Sequence, residues 1–337
     1  MARVFIIAEA GVNHNGSIDL ARELVDAAKA SGADAVKFQT FRADRLATRG
    51  AHKAAYQERA TATAAESQFE MLKRLELDAA AHQLLIDHCR NVDMQFLSSP
   101  FDAESADLLA TMQMPIFKIP SGEITNFPFL RHVAAKGRPL ILSTGMSTLG
   151  DVEEAVNVLR AAGASDLTLL HCVTEYPAPY DEVNLRAMQT LKSAFGLPVG
   201  YSDHTPGIEI AIAAVALGAE VIEKHFTLDR SLPGPDHAAS LEPAELQQMV
   251  AAIRHVESAL GTGVKYPAPC ELANMSVARK SVVAACALAA GHQLIASDLE
   301  IKRPGNGLAP KLLPALIGRT LRVGVSKDDV LSWDHLA

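Results

Sequence analysis

The 337-residue chain is short of cysteine, has no excess of positive charge and contains no long apolar run. Each shortage excludes something. The four cysteines, Cys89, Cys172, Cys270 and Cys286, include no tight C-x-x-C pair and read as reduced core or wall residues. Lys and Arg number 31 against 39 Asp and Glu, a formal net charge of −8 with a pI near 5.8. Nucleic acid and anionic membranes recruit clustered Lys and Arg, so neither is expected as the main partner. A locally cationic pocket for a small anion remains compatible with that balance. The opening MARVFIIAEAGVNHNG reaches an acid at Glu9 after a short apolar stretch, and predicts neither a signal peptide nor a membrane span. The expected compartment is the cytoplasm.

What is present is ample apolar material, 49% of positions, enough for one large core and a small second domain. Eight short apolar runs recur between helical stretches: VFIIAEAG (4–11), AVKFQT (35–40), QFLSSP (95–100), IFKIPSG (116–122), PLILSTG (139–145), LTLLHC (167–172), PVGYSDH (198–204) and EVIEKHF (220–226). Near-continuous apolar strands alternating with helices predict a parallel sheet covered on both faces. Eight such units predict an α/β fold, a (β/α)8 TIM barrel over residues 1–262; the structural rival is an open doubly wound sheet. The 41–78 connection is too long for an ordinary loop and leaves the C-terminal end of the second strand, where barrel sites lie, so it is expected to act as a lid or binding element. Its bland alternative is a surface decoration. Residues 263–279, rich in Gly and Pro, read as a linker, and 280–337 as a small β-rich module. In the late KRPGNG turn, Gly305 and Gly307 are expected to free the backbone.

Polar residues gather at the predicted strand ends: Glu9; Lys37 and Gln39; Ser98 and Ser99; Lys118 and Ser121; Ser143; His171; Ser202 and His204; Glu223 and His225. Pairs two apart share a strand face. An apolar barrel interior does not tolerate so many charges without ligands, so a polar substrate is expected. Lys37 and Lys118, with Ser99, Ser121, Ser143 and Ser202, suit a phosphate combined with a carboxylate; alternatively each Lys neutralises a nearby Glu. His204 and His225 end adjacent strands, with Glu223 on the face of His225, and together suggest a metal site with open positions, although a lone strand-end histidine is more often a wall residue. The proline-stiffened DRSLPGPDHAAS (229–240) presents Asp236 and His237, and TEYPAPY (174–180) offers Tyr176.

AEAGVNHNGS, VKFQTF, FLSSPFD, FKIPSGEITN, ILSTGM, LLHCVTEYPAPY, YSDHTPG, IEKHFTLD, PGPDH and KRPGNG resemble, in order and spacing over essentially the whole chain, the sialic acid (N-acetylneuraminate) synthases and their legionaminate and pseudaminate relatives. The resemblance implies a (β/α)8 barrel followed by an antifreeze-like (SAF) domain. It implies that Lys37, Ser99, Lys118, Ser121, Ser143 and Ser202 hold phosphoenolpyruvate. His204 and His225 would ligate a divalent metal, manganese before magnesium or cobalt, with Glu223 holding a metal-bound water. Glu9, Tyr176 and Asp236 would orient the acceptor sugar, with Gln39 and Thr174 in the same pocket. Arg303 would reach the partner's barrel in a domain-swapped homodimer. Two positions depart from the pattern of some members: Thr174 replaces an Asn and Val277 a Phe.

The expected reaction is a metal-assisted, aldol-like condensation of phosphoenolpyruvate with N-acetylmannosamine or its 2,4-diacetamido-6-deoxy analogue, with C–O cleavage at the phosphate. The enzymatic competitor is a Schiff-base aldolase, which needs one desolvated lysine but no histidine pair. A non-catalytic sugar- or ice-binding role would leave the barrel's lysines and histidines unexplained.

Overall fold

Eight parallel strands form where the apolar runs lie in the computed structural model of the chain, which describes residues 3–61 and 66–337. They are β1 (Phe5–Gly11), β2 (Ala35–Thr40), β3 (Gln95–Pro100), β4 (Phe117–Ile119), β5 (Leu140–Ser143), β6 (Leu167–Cys172), β7 (Val199–Asp203) and β8 (Val221–His225). Hydrogen bonding orders them β3-β2-β1-β8-β7-β6-β5-β4. The first and last strands pair, and β3 and β4 lie side by side to complete the (β/α)8 barrel. The open doubly wound alternative is thereby excluded. Among the described residues, no helix is long and apolar enough to cross a membrane.

The helices begin where the sequence supplies caps. Ser17 accepts from Leu20 N–H ahead of the helix Ile18–Ala30, and Asp78 does the same for Ala79–Asn91. Thr148 and Asp151 form a reciprocal capping box at Leu149–Ala161. The first of these helices buries Ala21, Leu24, Val25 and Ala28, spaced at three and four residues, against the sheet. Strands buried on both faces and such helix faces merge into one apolar core running from Val4 to Ile253.

Within the long connection after β2, Ala43–Leu46, Ala55–Thr61 and Gln68–Leu75 are helical. Met71 and Leu75 join Val12 and Phe41 in a separate small apolar cluster, which ties this connection to the turn after β1.

The chain divides into two units, Met1–Gly261 and Thr262–Ala337. The second has its own apolar cluster around Val282, Leu294, Leu316 and Leu331, with β9 (Ser281–Ala284) antiparallel to β10 (Leu299–Lys302). Where a linker is expected, Leu272–Ala278 forms a short helix. The turn glycines of the second unit also differ from expectation. A Cβ on Gly305 would lie 2.5 Å from Arg279 Cβ, and one on Gly307 would lie 2.2 Å from Val330 Cγ1 and 2.6 Å from Leu331 O. These residues are small because the chain packs closely there.

Candidate active site

The barrel's register assembles the site. Glu9 is opposite Lys37 on one side and His225 on the other, Gln39 is opposite Ser99, and Ser202 is opposite Glu223. With Lys118, Ser121, Ser143, Thr174, Tyr176, His204 and Asp236, these residues line one cavity of about 390 Å3. That volume lies in the range of small-molecule sites. Fourteen of the fifteen expected site residues thus converge. Arg303 belongs to the second unit, where its Nε donates to Ala278 O at 3.1 Å.

At the barrel end of the cavity, charge is organised around two carboxylates. Lys37 Nζ lies 2.6 Å from Glu9 Oε2 and 3.7 Å from Glu223 Oε2, and donates to Ser99 Oγ at 2.9 Å. Lys118 Nζ is 3.3 Å from Glu223 Oε1, which also accepts from Ser202 Oγ at 2.9 Å. Burial alone would raise Glu223, yet the two ammonium groups and the serine hydroxyl hold it below the ordinary carboxylate range. Burial wins at Glu9, which is raised despite Lys37. The same desolvation raises Asp236 to about 6. The Ser143 and Thr174 hydroxyls are buried with no hydrogen-bond partner among the described residues, so they are free to meet a ligand.

Two imidazoles stand beside this net. His204 Nδ1 donates to Val173 O at 2.6 Å, which leaves Nε2 as the nitrogen carrying a lone pair. The His225 ring lies 5.4 Å from it, centroid to centroid. His225 Nδ1 is buried without a hydrogen-bond partner among the described residues, 3.8 Å from Asp236 Oδ2. Burial pushes His204 down to about 4 and His225 well below its ordinary value, so both are neutral. Two neutral imidazoles, one oriented by a backbone carbonyl and the other with an orphaned buried nitrogen, fit a divalent ion as two nitrogen ligands. Glu223, expected to belong to this group, turns its carboxylate toward the lysines and Ser202. Among the described residues, no three His, Cys, Asp or Glu side chains converge closely enough to hold an ion. A bound ion would therefore draw its other ligands from substrate and water.

Tyr176 covers the histidines, its ring 4.1 Å from that of His204 and 4.9 Å from that of Tyr56. Tyr56, Gln57, Gln68, Met71 and Leu72 of the long connection also line the cavity. This segment is a wall of the site, as its departure point suggested, but its individual residues carried no motif that singled them out. Cys172, read from the sequence as a reduced core or wall residue, is buried and lines the cavity. It lies 3.1 Å from Ser121 Oγ, and a Cβ on Gly145 would come within 2.3 Å of Thr174 Oγ1 and 2.9 Å of Cys172 Sγ and Ser121 Oγ. Two strand-end residues face away from the cavity. His171 Nε2 donates to Val183 O at 2.7 Å, and Ser98 bonds to Thr40, which bonds to His82.

A closed parallel barrel whose ionisable side chains meet at the C-terminal ends of its strands is the arrangement of (β/α)8-barrel enzymes. The chain belongs to the NeuB family, whose model matches residues 24–265, and the SAF domain model matches 279–337. It is 51% identical over 333 residues to N,N'-diacetyllegionaminic acid synthase of Campylobacter jejuni, covering 98% of this chain and 99% of that one. The protein of the same description from Legionella pneumophila is 48% identical over 336 residues, covering 98% and 94%. Among solved structures, the N-acetylneuraminic acid synthetase of Leptospira borgpetersenii in complex with citrate superposes with a TM-score of 0.71 at 36% identity, covering 81% of this chain and 90% of that one.

Proposed function

We propose that this protein is a nonulosonate synthase that condenses phosphoenolpyruvate with a 2,4-diacetamido-2,4,6-trideoxy sugar, releasing phosphate and giving N,N'-diacetyllegionaminic acid. The carrying observation is the meeting of Lys37 and Lys118 with unpaired hydroxyls in one cavity, beside two neutral imidazoles. The choice of acceptor is supported by the two relatives near 50% identity.

In this reading Lys37 and Lys118, with Ser99, Ser121, Ser143 and Ser202, hold the phosphate and carboxylate of phosphoenolpyruvate through charge-assisted bonds. Gln39, Thr174 and Tyr176 orient the acceptor. A divalent ion, manganese by preference, held by His204 and His225 would supply Lewis acidity to the sugar aldehyde. Phosphoenolpyruvate C3 attacks the aldehyde carbon, and a proton reaches the new alkoxide oxygen. Glu9 and Asp236, both raised by burial, are the groups able to deliver it. Water adds at C2, and the tetrahedral intermediate expels phosphate by C–O cleavage while the lysines stabilise its charge. The working form is a homodimer in which Arg303 serves the partner's barrel.

The test is phosphate release by purified protein given phosphoenolpyruvate with either N-acetylmannosamine or the diacetamido sugar. The diacetamido sugar should have the higher kcat/KM, and in ¹⁸O-water the released phosphate should stay unlabelled. A preference for N-acetylmannosamine overturns the acceptor. Trapping of pyruvate by borohydride, without phosphoenolpyruvate turnover, would establish the Schiff-base chemistry instead.

A further inference from the structure

Behind the two cavity histidines, on the opposite face of their strands, lies an ion pair that the proposed chemistry does not use. Asp203 and Lys224 are partners across the β7–β8 ladder, each next in sequence to one of those histidines. Lys224 Nζ lies 2.9 Å from Asp203 Oδ2, with both side chains fully buried. The same ammonium donates to the carbonyl of Thr205. Asp203 Oδ1 accepts from Thr205 N–H at 2.9 Å and from its hydroxyl at 2.7 Å. Neither Asp203 nor Lys224 lines the cavity, whereas Ser202, His204, Glu223 and His225 all do.

All of these bonds end on the residues flanking His204. His204 is also held by Ala178 N–H, which donates to its carbonyl at 2.8 Å, and by the bond of its own Nδ1 to Val173 O. A fully buried ion pair loses to desolvation much of what it gains by attraction, and apolar residues of similar volume often serve stability as well. Its distinctive effect here is geometric. It closes the 203–205 turn at the end of β7 and ties that turn to β8, which carries His225.

We propose that Asp203 and Lys224 are positioning residues that set the direction of the His204 imidazole relative to His225. This rests on the proposed function only in treating that imidazole pair as the reactive end of the site.

Three full-length variants test it: Lys224→Met, Asp203→Val and the double Asp203→Val/Lys224→Met. Each single change leaves one buried charge unpaired and should lower Tm, and the double should recover much of that loss. Were the pair merely structural, activity would return with Tm. Positioning predicts that kcat of the folded double stays roughly tenfold or more below wild type, with the phosphoenolpyruvate KM nearly unchanged. It also predicts loss of the His204 Nδ1–H signature in the ¹⁵N-imidazole spectrum, assigned by its absence in His204→Gln. That spectrum is taken on metal-free, substrate-free protein, so it reports on the turn even if the wild type fails to catalyse the proposed reaction. Should the double not fold, Asp203→Asn, nearly isosteric with the native side chain, carries the same readouts. A native His204 signature in the folded variants overturns the proposal.

Discussion

Glu9 and Lys37 sit directly opposite each other in the β1–β2 ladder, and their side chains form a 2.6 Å ion pair with 3% or less of either exposed. One ammonium thus meets a raised carboxylate on its own side of the barrel and a lowered one, Glu223, farther round.

Removing that ammonium should have two separable effects. Lys37→Met loses a charge-assisted contact worth roughly 1.5–3 kcal/mol, lowering kcat/KM for phosphoenolpyruvate by about one to two orders of magnitude. It also removes the ion-pair partner of the buried Glu9, which keeps only the bond from Gln39 Nε2 at 3.2 Å, so Tm should fall. Lys118→Met should show the kinetic loss with a smaller fall in Tm, because Glu223 keeps Ser202 and Lys37. Steady-state kinetics and thermal melts check both. Unchanged phosphoenolpyruvate kinetics in the two variants would move the anion site elsewhere.

Dialysis against a strong chelator should abolish phosphate release, and manganese should restore it. His204→Ala and His225→Ala should each lose the ion, since no third protein ligand converges on the pair among the described residues. Elemental analysis provides the readout. Full turnover by chelated protein free of metal would end the metal assignment.

Acid should unfold the barrel partly through His14. Its ring is buried, and Nδ1 accepts from Gly16 N–H at 3.0 Å. Burial pushes it down to about 4 from an ordinary value of 6.5. Between those values the unfolded chain binds a proton that the folded chain does not. The stabilisation is therefore full above pH 6.5 and declines as pH falls, by about 3 kcal/mol at pH 4. Denaturant melts across this range should show a shallower acid slope in His14→Gln than in wild type. Equal slopes would mean that His14 does not control the transition.

Two glycines should fail differently. In Gly145→Ala the new methyl meets the ends of Thr174, Cys172 and Ser121, which can shift, so a folded protein with activity reduced roughly ten- to a hundredfold is expected. In Gly200→Ala the methyl lies 2.2 Å from the backbone oxygen of Val221, which the barrel holds in place. That variant should lose stability before function. Circular dichroism alongside turnover separates the outcomes, and native activity in Gly145→Ala would contradict the crowding argument.

Subunit mixing addresses Arg303. Arg303→Ala and Lys118→Met, each nearly inactive, are combined under exchange. Service across the interface predicts partial recovery, because one barrel of a heterodimer then carries neither defect. Exchange seen by native mass spectrometry without recovery would confine Arg303 to its own chain or to no site.

The eight strands and the main cavity residues were legible because both follow from local geometry. An apolar run that ends in polar residues marks a strand tip, and side chains two apart share a face: Lys37 with Gln39, Ser202 with His204, Glu223 with His225. The rest required the closed barrel. Ser98 and Ser99 are adjacent and must face opposite ways, but only the ladder decides which of them enters the cavity. Whether His171 enters the cavity or serves as a wall residue was open in the sequence for the same reason. Glu223 is near His225 in sequence, yet it turns to Lys118 and Lys37 because register and strand tilt bring distant strands together across the barrel. The walls supplied by Tyr56, Gln57 and Gln68, and the Asp203–Lys224 pair behind His204, likewise carried no local signal. Sequence alone determined the strand tips and the kinds of group they bear, through covalent spacing. Tertiary structure decided which charges meet and which face the cavity, because pairing across strands depends on the register of the whole sheet.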